Sequence, residues 1–285
     1  MTLKVAIPDT ALTDCSDLRE KTTKIGSIAR ALAIFRVDAV YIYDTGTLEA
    51  DKKRDADLFV KLLRFMDTPQ YLRKVVFPKS PSLKYAGILP PLRTKSHPLE
   101  STKSDLEEGD IRWGVQVRPG KIDLGLDRPI KYSKTISERD PTLFRVKKTS
   151  PQILLEIIYR DDVEEYWGFS VERVRSLSSL LTELEDSTRI GFSRNAPPFN
   201  KIELDLKPTI AGTQSVTAIF GGPRHGILEV FKEERESIKS NIDFWVNTIP
   251  NQGTETVRLN EAILVSLGVL NNSIGQMIGK PGYYE

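Results

Sequence analysis

Apolar residues in the first part of the chain follow a strand, helix, strand pattern. Residues 3–7 form a short apolar run, which predicts a buried strand. Residues 24–36 repeat apolar side chains at i, i+4 and i+7, which predicts an amphipathic helix. Residues 37–43 are almost continuously apolar and predict a second buried strand. Together the three segments indicate a parallel βαβ unit.

The same alternation returns in the last 120 or so residues, a span typical of a further set of βα units. We expect strands there over residues 166–171, 189–193 and 216–220 and a helix over residues 177–184. Earlier in the chain, residues 55–66 predict another amphipathic helix. Residues 199–206 are expected to be helical or irregular. The pattern predicts an α/β fold with a Rossmann-like parallel sheet.

The middle of the chain has a different character. Five prolines occur between residues 77 and 98, a density that neither a regular helix nor a central strand tolerates. Short strand-like runs follow, separated by Gly, Pro and Asp, which predicts a small antiparallel β-barrel. These runs are residues 111–117, 121–126, 142–148 and 152–158. We therefore divide the chain into one domain of residues 1–89 and 165–285 and an inserted domain of residues 90–164.

A strand end, a polar loop and an apolar helix follow one another near the end of the chain. Residues 244–249 predict a buried strand that ends at Pro250, and Gly253 lies in the polar loop behind it. Residues 261–270 are apolar at almost every position, so we expect this helix to be covered on most sides by the core and by a second subunit. An ordinary strand-loop-helix crossover is the alternative.

Three loops follow predicted strands and should meet at the carboxyl edge of the sheet, where open α/β folds bind ligands. They comprise residues 193–195, 220–224 and 248–258. No GxGxxG sequence follows a strand, GQMIGK has the wrong spacing for a phosphate loop, and a GxSxG elbow is absent. His97, His225 and Cys15 lie too far apart in sequence to predict a zinc site.

Composition adds limits rather than a function. The chain has 285 residues, with 41 Lys plus Arg against 39 Asp plus Glu, so its net charge of +2 favours no partner by itself. Cys15 is the single cysteine, which excludes an internal disulfide. The first residues lack the apolar core of a signal peptide, and no apolar run approaches ~18 residues. We expect a cytoplasmic protein without membrane or metal partners.

Several segments resemble the SPOUT, or α/β-knot, RNA methyltransferases. IPNQGTETVR followed by NEAILVSLGVLNN is similar to the last motif of that family. KTTKIGSIARALAIFRVDAVYIYD, DTPQYLRKVVFP, GILPPLRTKSHP, YWGFSV, SRNA and IFGGPRHG look like its archaeal and eukaryotic branch of RNA uridine N3-methyltransferases, in that order. The resemblance implies a deep C-terminal trefoil knot, an inserted OB-like barrel, a homodimer and S-adenosylmethionine as cofactor.

The resemblance also implies which residues hold the cofactor, which leaves as S-adenosylhomocysteine. They are Ser193, Asn195, Phe220, Gly221, Gly222, Thr248, Ile249, Pro250, Gln252, Gly253, Thr254, Thr256, Val257 and Arg258. Threading of the chain into a knot comes from the resemblance alone, because the apolar pattern by itself predicts an ordinary doubly wound sheet.

Three arginines are the candidates for catalysis: Arg30, Arg194 and Arg224. Arg30 lies in the IARA motif, whose arginine faces the methyl-transfer site in the family. From the residues alone, an ion-paired or solvated helix arginine is the favoured interpretation of Arg30, and the resemblance reverses that preference. Fixed cations would lower the barrier at a uridine N3, which becomes anionic as it reacts. His225 stays open as a general base, and Asn260 departs from the carboxylate often found at that position.

The leading hypothesis is a homodimeric methyltransferase that modifies a uridine, by resemblance in ribosomal RNA. Another base nitrogen, the ribose 2′-hydroxyl, or a non-catalytic RNA-binding or assembly factor are the alternatives. The barrel offers a phosphate-binding surface, but acidic residues are interspersed, so an ordinary solvated surface remains open. Its basic residues are Arg112, Arg118, Lys121, Lys131, Lys134, Arg139, Arg145, Lys147 and Lys148.

Overall fold

The computed structural model describes residues 1–98 and 106–282 and divides into two compact units. The first unit comprises Met1–Arg64, Tyr85–Pro90 and Phe169–Lys280. The second comprises Phe65–Lys84, Pro91–Gly168 and the C-terminal residues from Pro281 onward. The predicted boundaries at residues 90 and 164 stay a prediction.

A six-stranded parallel sheet forms the centre of the first unit. Its strands are β1 (Thr2–Pro8), β2 (Ala39–Tyr43), β8 (Ser170–Val174), β9 (Ser187–Phe192), β10 (Ser215–Ile219) and β11 (Phe244–Val246). They are arranged in the order β11-β9-β10-β1-β2-β8. All five residues of β10 are buried, as expected for a central parallel strand covered on both faces. The predicted α/β class with a parallel sheet is confirmed.

Helices connect these strands. They are α1 (Leu18–Ile34), α2 (Lys53–Asp67), α4 (Leu177–Glu183), α5 (Phe199–Ala211), α6 (Ile227–Val230), α7 (Arg235–Ser240) and α8 (Leu259–Ile274). Asp17 precedes helix α1 and caps it, because its carboxylate accepts the N–H of Glu20 at 2.8 Å. Helices α1 and α8 pack against each other, and α7 packs against both α4 and α6.

The second unit contains a separate antiparallel sheet. Its elements are α3 (Gln70–Val76), β3 (Ile111–Arg118), β4 (Lys121–Asp123), β5 (Ile130–Lys131), β6 (Thr142–Lys148) and β7 (Leu154–Ile158). The strand order is β5-β4-β3-β6-β7. Ile122, Leu124, Ile130 and Phe144 form one apolar cluster in this unit, and Leu143, Ile158, Val163 and Trp167 form another.

A half-buried histidine lies in the second unit. His97 Nε2 is 3.0 Å from the main-chain oxygen of Met66, and its Nδ1 is 2.7 Å from Thr94 Oγ1. Because a carbonyl oxygen can only accept, Nε2 carries the proton and Nδ1 accepts from the hydroxyl. Burial lowers the pKa of His97, which keeps the imidazole neutral.

Two strands have bounds that differ from the prediction, β8 at its start and β11 at its end. Strand β8 begins at Ser170 rather than at residue 166, because Gly168 has φ +84°, outside the range of a regular strand. Strand β11 ends at Val246 rather than at Pro250. The reason is that Asn247 pairs with another segment: its N–H donates to Pro197 O and its carbonyl accepts from Phe199 N.

The core of a single chain covers only part of helix α8. Ile263, Leu267 and Leu270 are buried, but Leu264 is 45 % exposed and Val265 is 39 % exposed. The chain's own core therefore covers one side of the helix and leaves an apolar strip in solvent.

No helix among the described residues is long and apolar enough to cross a membrane. Within the same residues, no three His, Cys, Asp or Glu side chains come together as a set of metal ligands.

Candidate functional site

The loops that follow β9, β10 and β11 line one cavity of about 350 Å³ at the carboxyl edge of the parallel sheet. These strands are neighbours in the sheet, so their ends bring the three loops together. The predicted residues that line it are Ser193, Arg194, Asn195, Phe220, Gly221, Gly222, Arg224, Thr248, Ile249, Gln252, Thr256 and Val257.

The other predicted site residues do not line this cavity: Pro250, Gly253, Thr254, Arg258 and Arg30. A Cβ placed on Gly253 would meet nothing within 4 Å, so the chain itself does not require glycine there. Arg258 is instead the residue before α8, where its N–H donates to the Glu261 carboxylate at 2.9 Å.

Arg30 lies far along its helix. Twelve residues separate it from Leu18, the first residue of α1. At 1.5 Å per residue this is ~18 Å along the axis. The helix starts shortly after the carboxyl end of β1, so Arg30 lies toward the opposite edge of the sheet. Its own chain does not bring Arg30 to the cavity.

Aromatic and aliphatic residues form the apolar wall. The rings of Phe192 and Phe220 stack with centroids 4.8 Å apart and planes 11° apart. The hydroxyl of Tyr43 donates to the main-chain oxygen of Phe220 at 2.6 Å and holds the backbone of Phe220 in place. Burial raises the pKa of Tyr43, so the phenol keeps the proton that it donates.

Two consecutive glycines follow Phe220 because the chain packs too closely for side chains. A Cβ on Gly221 would lie 2.9 Å from the main-chain nitrogen of Ile227. A Cβ on Gly222 would lie 2.9 Å from Thr10 Oγ1. The first contact is with backbone, which cannot rotate away. The loop therefore turns tightly at this point, and its backbone faces the cavity.

Asn247 fastens two of the three loops together. Its Nδ2 donates to Arg194 O at 2.9 Å, and its Oδ1 accepts the N–H of Ile249 at 2.9 Å. Asn247 N also donates to Pro197 O at 2.8 Å. One residue thus sets the distance between the loop after β9 and the loop after β11.

The last loop is held by its own polar groups. Gln252 Nε2 donates to Thr254 O at 2.9 Å and to Glu255 O at 3.1 Å, so the Gln252 amide nitrogen shapes the loop. Asn251 has φ +56°, a left-handed conformation that Asn adopts more readily than most residues. Thr248 Oγ1 lies 2.7 Å from Ser266 Oγ, which joins the loop to α8.

Charged groups of both signs line the cavity. Arg224 Nη2 donates to Thr13 O at 3.3 Å, which ties it to the loop after β1, and Arg194 is exposed. Glu229 accepts the N–H of Gly226 at 3.1 Å, and its carboxylate is 3.9 Å from His225 Nδ1. The cavity can therefore contact both anionic and cationic parts of a ligand.

Several lining residues were not singled out in the sequence. They include Phe192, Val246, Asn247, Glu229, Glu255, Leu259, Ala262 and Ser266. Leu259, Ala262 and Ser266 occur at i, i+3 and i+7 of α8, so helical spacing could have identified that stripe. Glu255 lies within the predicted loop 248–258, whereas Glu229 reaches the cavity through tertiary structure, for which the sequence has no local signal.

Comparison with known proteins adds independent information. A sequence model of the family described as "Putative RNA methyltransferase" matches residues 2–270. An uncharacterized protein of Halobacterium salinarum is 31 % identical, over 95 % of this chain and 99 % of its own length. The 28S rRNA (uridine-N(3))-methyltransferase of Mus musculus is 29 % identical, over 98 % of this chain and 78 % of its own length.

The protein of the same name from Homo sapiens is 28 % identical, over 96 % of this chain and 79 % of its own length. The family match covers nearly the whole chain, including the three loops that line the cavity. The chain belongs to the "Putative RNA methyltransferase" family.

Proposed function

We propose that the protein is an S-adenosylmethionine-dependent methyltransferase that modifies N3 of a uridine in ribosomal RNA. The observation that carries this proposal is the convergence of three loops, with Arg194 and Arg224 between them, on one cavity. The names of the mouse and human relatives support the choice of acceptor.

The cavity has properties that suit this cofactor. Its volume of about 350 Å³ falls within the ~300–1,000 Å³ typical of small-molecule sites. The wall around Phe220 and Ile249 gives apolar surface for an adenine, and the turn at Gly221 and Gly222 presents backbone groups. The Glu229 and Glu255 carboxylates complement the positive charges of the cofactor's ammonium and sulfonium groups. When bound, S-adenosylmethionine supplies an electrophilic methyl group.

The protein's main task is to hold the acceptor in line with that methyl group. Good alignment of two reactants lowers the barrier by several kcal/mol, up to ~7–11 kcal/mol. Loss of the N3 proton places negative charge on N3 and the uracil oxygens. This charge would be neutralised as N3 takes the methyl group and S-adenosylhomocysteine leaves. Arg194 and Arg224 stabilise this charge. His225 and Glu229 are the groups on this side of the cavity that can receive the proton.

We further propose a homodimer, in which the exposed strip of α8 meets a second copy. Support comes from Leu264 and Val265, which are large, apolar and exposed. A second copy would also supply Arg30, which its own chain keeps away from the cavity. Arg30→Ala then abolishes methyl transfer and leaves cofactor affinity nearly unchanged. Mixing Arg30→Ala with Arg194→Ala subunits restores transfer if the two arginines act across the interface.

The finer architecture is also a proposal. We propose that residues 90–164 form an inserted OB-like, RNA-binding module, supported by the five antiparallel strands β3–β7. We propose that the segment after β11 is threaded into a trefoil knot, supported by the resemblance of its sequence to the last SPOUT motif. Stretching the chain from both ends tests the knot, because a knotted chain extends to less than its full contour length.

Calorimetric titration tests the cofactor assignment. We expect the purified protein to bind S-adenosylmethionine and not NADH. Arg194→Gln should bind it equally well, whereas Gly221→Ala, which disturbs the turn, should not. Binding of NADH alone would contradict the proposal. If the wild type binds neither ligand in the presence of RNA, the protein is a non-catalytic RNA-binding factor.

A further inference from the structure

Three basic side chains stand side by side on neighbouring strands of the antiparallel sheet. In the strand register, Arg118 of β3 is directly opposite Lys121 of β4, and Lys121 is directly opposite Lys131 of β5. Directly opposed residues of antiparallel strands point to the same face, with Cβ atoms about 5 Å apart. The three residues form one row, called the basic row below.

The side chains on the opposite face of these strands are buried in the apolar core of the second unit. Ile122 and Ile130 directly neighbour the two lysines in sequence, and both are buried in the cluster with Leu124 and Phe144. Because successive side chains of a strand alternate between faces, the basic row points away from that core. All three of its residues are exposed.

The backbone that carries the row has a register shift in β3 between Gln116 and Arg118, followed by a tight turn. Arg118 and Lys121 flank the two-residue turn Pro119–Gly120, in which Gly120 has φ +73°, as a type II Pro-Gly turn requires. Tyr132 N donates to Gly120 O at 3.0 Å, which continues the pairing of β4 and β5 beyond Lys131. The three cations are therefore held in one register before any partner binds.

No carboxylate of the described residues forms an ion pair with a member of the row. Asp123, two positions along β4 on the same face, accepts the N–H of Gly125 at 2.8 Å instead. Elsewhere on the sheet a cation is paired: Lys147 lies 2.8 Å from Glu156. Like charges directly opposite each other destabilise a sheet. The three cations therefore lower the stability of the folded unit, and stability does not account for their presence.

We infer that the basic row is a contact site for RNA phosphates, which brings the substrate of the proposed methyltransferase to the protein. This inference rests on the proposed function. Lysine is depleted in protein–protein interfaces, and the row has no large apolar side chain between its cations, so an acidic protein fits it less well. Phosphate contacts position a nucleic acid and carry no sequence information, so the row acts on any RNA sequence.

Anisotropy of a labelled oligouridylate tests the site in the full chain. A length of about 20 nucleotides exceeds the ~4–16 nucleotides that one small β-domain covers. The test variant carries Arg118→Gln, Lys121→Gln and Lys131→Gln. Each phosphate contact to a single strand contributes ~0.7 to the slope of log affinity against log salt, so the slope becomes shallower by about 2. The affinity falls ~100-fold at 0.1 M salt and hardly at 1 M salt.

A second triple variant with the same net charge is the control. Lys52→Gln, Arg173→Gln and Lys207→Gln remove three cations that are paired with Glu49, Asp57 and Glu203 at 2.9 Å. We expect this variant to keep most of the salt slope. Equal losses in the two variants, or an unchanged slope in the row variant, would overturn the inference. The inference would also be overturned if the row variant lost affinity for polyglutamate but bound RNA as the wild type does, because that result would indicate an acidic protein partner.

Two further readouts separate the possible failures. We expect the melting temperature of the row variant at low salt to equal or exceed that of the wild type, because the substitutions remove the repulsion among its three cations. A lower melting temperature would mean that the row serves folding and would overturn the inference. If the wild type binds RNA more tightly than the row variant but does not bind S-adenosylmethionine, the proposed function is wrong and the inference about the basic row is supported. If methyl transfer and RNA affinity are both intact in the row variant, the inference about the basic row is wrong and the proposed function stands.

Discussion

The side-chain amide of Asn247 donates a 2.9 Å hydrogen bond to the main-chain oxygen of Arg194. Through this bond, the residue that ends the pairing of β11 fixes the loop that carries a proposed catalytic arginine. Since Asn247 also accepts the N–H of Ile249, both ends of its amide are used. The shape of the cavity therefore depends on one half-buried side chain.

Replacing Asn247 by Asp tests this dependence. Asp keeps the acceptor for Ile249 but turns a second oxygen toward the Arg194 carbonyl, which removes one hydrogen bond and adds repulsion. We expect the free energy of unfolding to fall by about 1–2 kcal/mol, and cofactor affinity to fall ~10-fold, or about 1.4 kcal/mol. Denaturant titration and calorimetry measure the two effects.

Asn241→Asp is the matched control for this change. Asn241 also donates its Nδ2 to a main-chain oxygen, that of Ser237 at 2.8 Å, but it is exposed and does not line the cavity. We expect normal cofactor affinity in this variant. Equal affinities of the wild type and Asn247→Asp would refute the positioning role of Asn247.

The two arginines of the cavity should affect chemistry more than binding. In Arg194→Gln and Arg224→Gln, the rate of methyl transfer should fall by about 10²–10³, the usual effect of losing one group that stabilises transition-state charge. Cofactor affinity should change less than twofold. Single-turnover assays with saturating RNA give the rate. The control is Arg175→Gln, an exposed arginine outside the cavity, and a similar rate loss there would disprove the assignment.

The two glycines Gly221 and Gly253 should respond differently to alanine. Gly221→Ala places a Cβ 2.9 Å from a backbone nitrogen and should destabilise the protein by about 1–3 kcal/mol. Gly253→Ala meets nothing within 4 Å and should leave stability unchanged. A loss of cofactor affinity in Gly253→Ala therefore reports how closely the ligand approaches this loop. Unchanged affinity would remove Gly253 from the proposed cofactor site.

Acid should weaken the second unit through His97. Its pKa in the folded protein is lowered by burial, so protonation favours the unfolded chain. The contribution to stability is complete above the unfolded pKa near 6.5 and is lost as pH falls from there toward the folded pKa. Fluorescence of Trp113 and Trp167 follows unfolding of this unit in denaturant. The stability of His97→Gln should depend less on pH below about 6.5, and identical pH dependences would contradict the assignment.

A charge on the exposed strip of α8 should separate the proposed dimer. Leu264→Asp should give a monomer in light scattering and lose methyl transfer, because the second copy is proposed to contribute Arg30. Leu154→Asp is the control, since Leu154 is 55 % exposed on a strand of the second unit. A wild-type protein that is monomeric and active would exclude the proposed assembly.

Local patterns predicted the elements, and long-range contacts set their ends. The buried strand β1 and the strand β6 were predicted within two residues, because continuous or alternating apolar runs suffice to mark them. The end of β11 could not be predicted, because the partner of Asn247 is Pro197, fifty residues earlier in the chain. The Glu229 carboxylate reaches the cavity for the same kind of reason.

The convergence of the three loops on one cavity could be predicted from the strand ends, whereas the position of Arg30 along its helix did not follow from the resemblance. Strand-end loops brought Ser193, Gly222 and Thr248 to one cavity, as expected for a parallel sheet. Arg30 was placed at the site by resemblance, but twelve residues of helix carry it away in its own chain. The proposed homodimer would bring Arg30 of a second copy to the cavity, and periodicity within one chain cannot reveal such an assembly.

Mass spectrometry of RNA after incubation with the protein and S-adenosylmethionine tests the central claim most directly. Ribosomal RNA, digested to nucleosides, should contain new 3-methyluridine with the wild type and about 10²–10³-fold less with Arg194→Gln after the same short incubation. Methyl groups on another base nitrogen or on a ribose hydroxyl would contradict the proposed acceptor. No transfer, with both RNA and cofactor bound, would contradict the proposal that this family member is an enzyme.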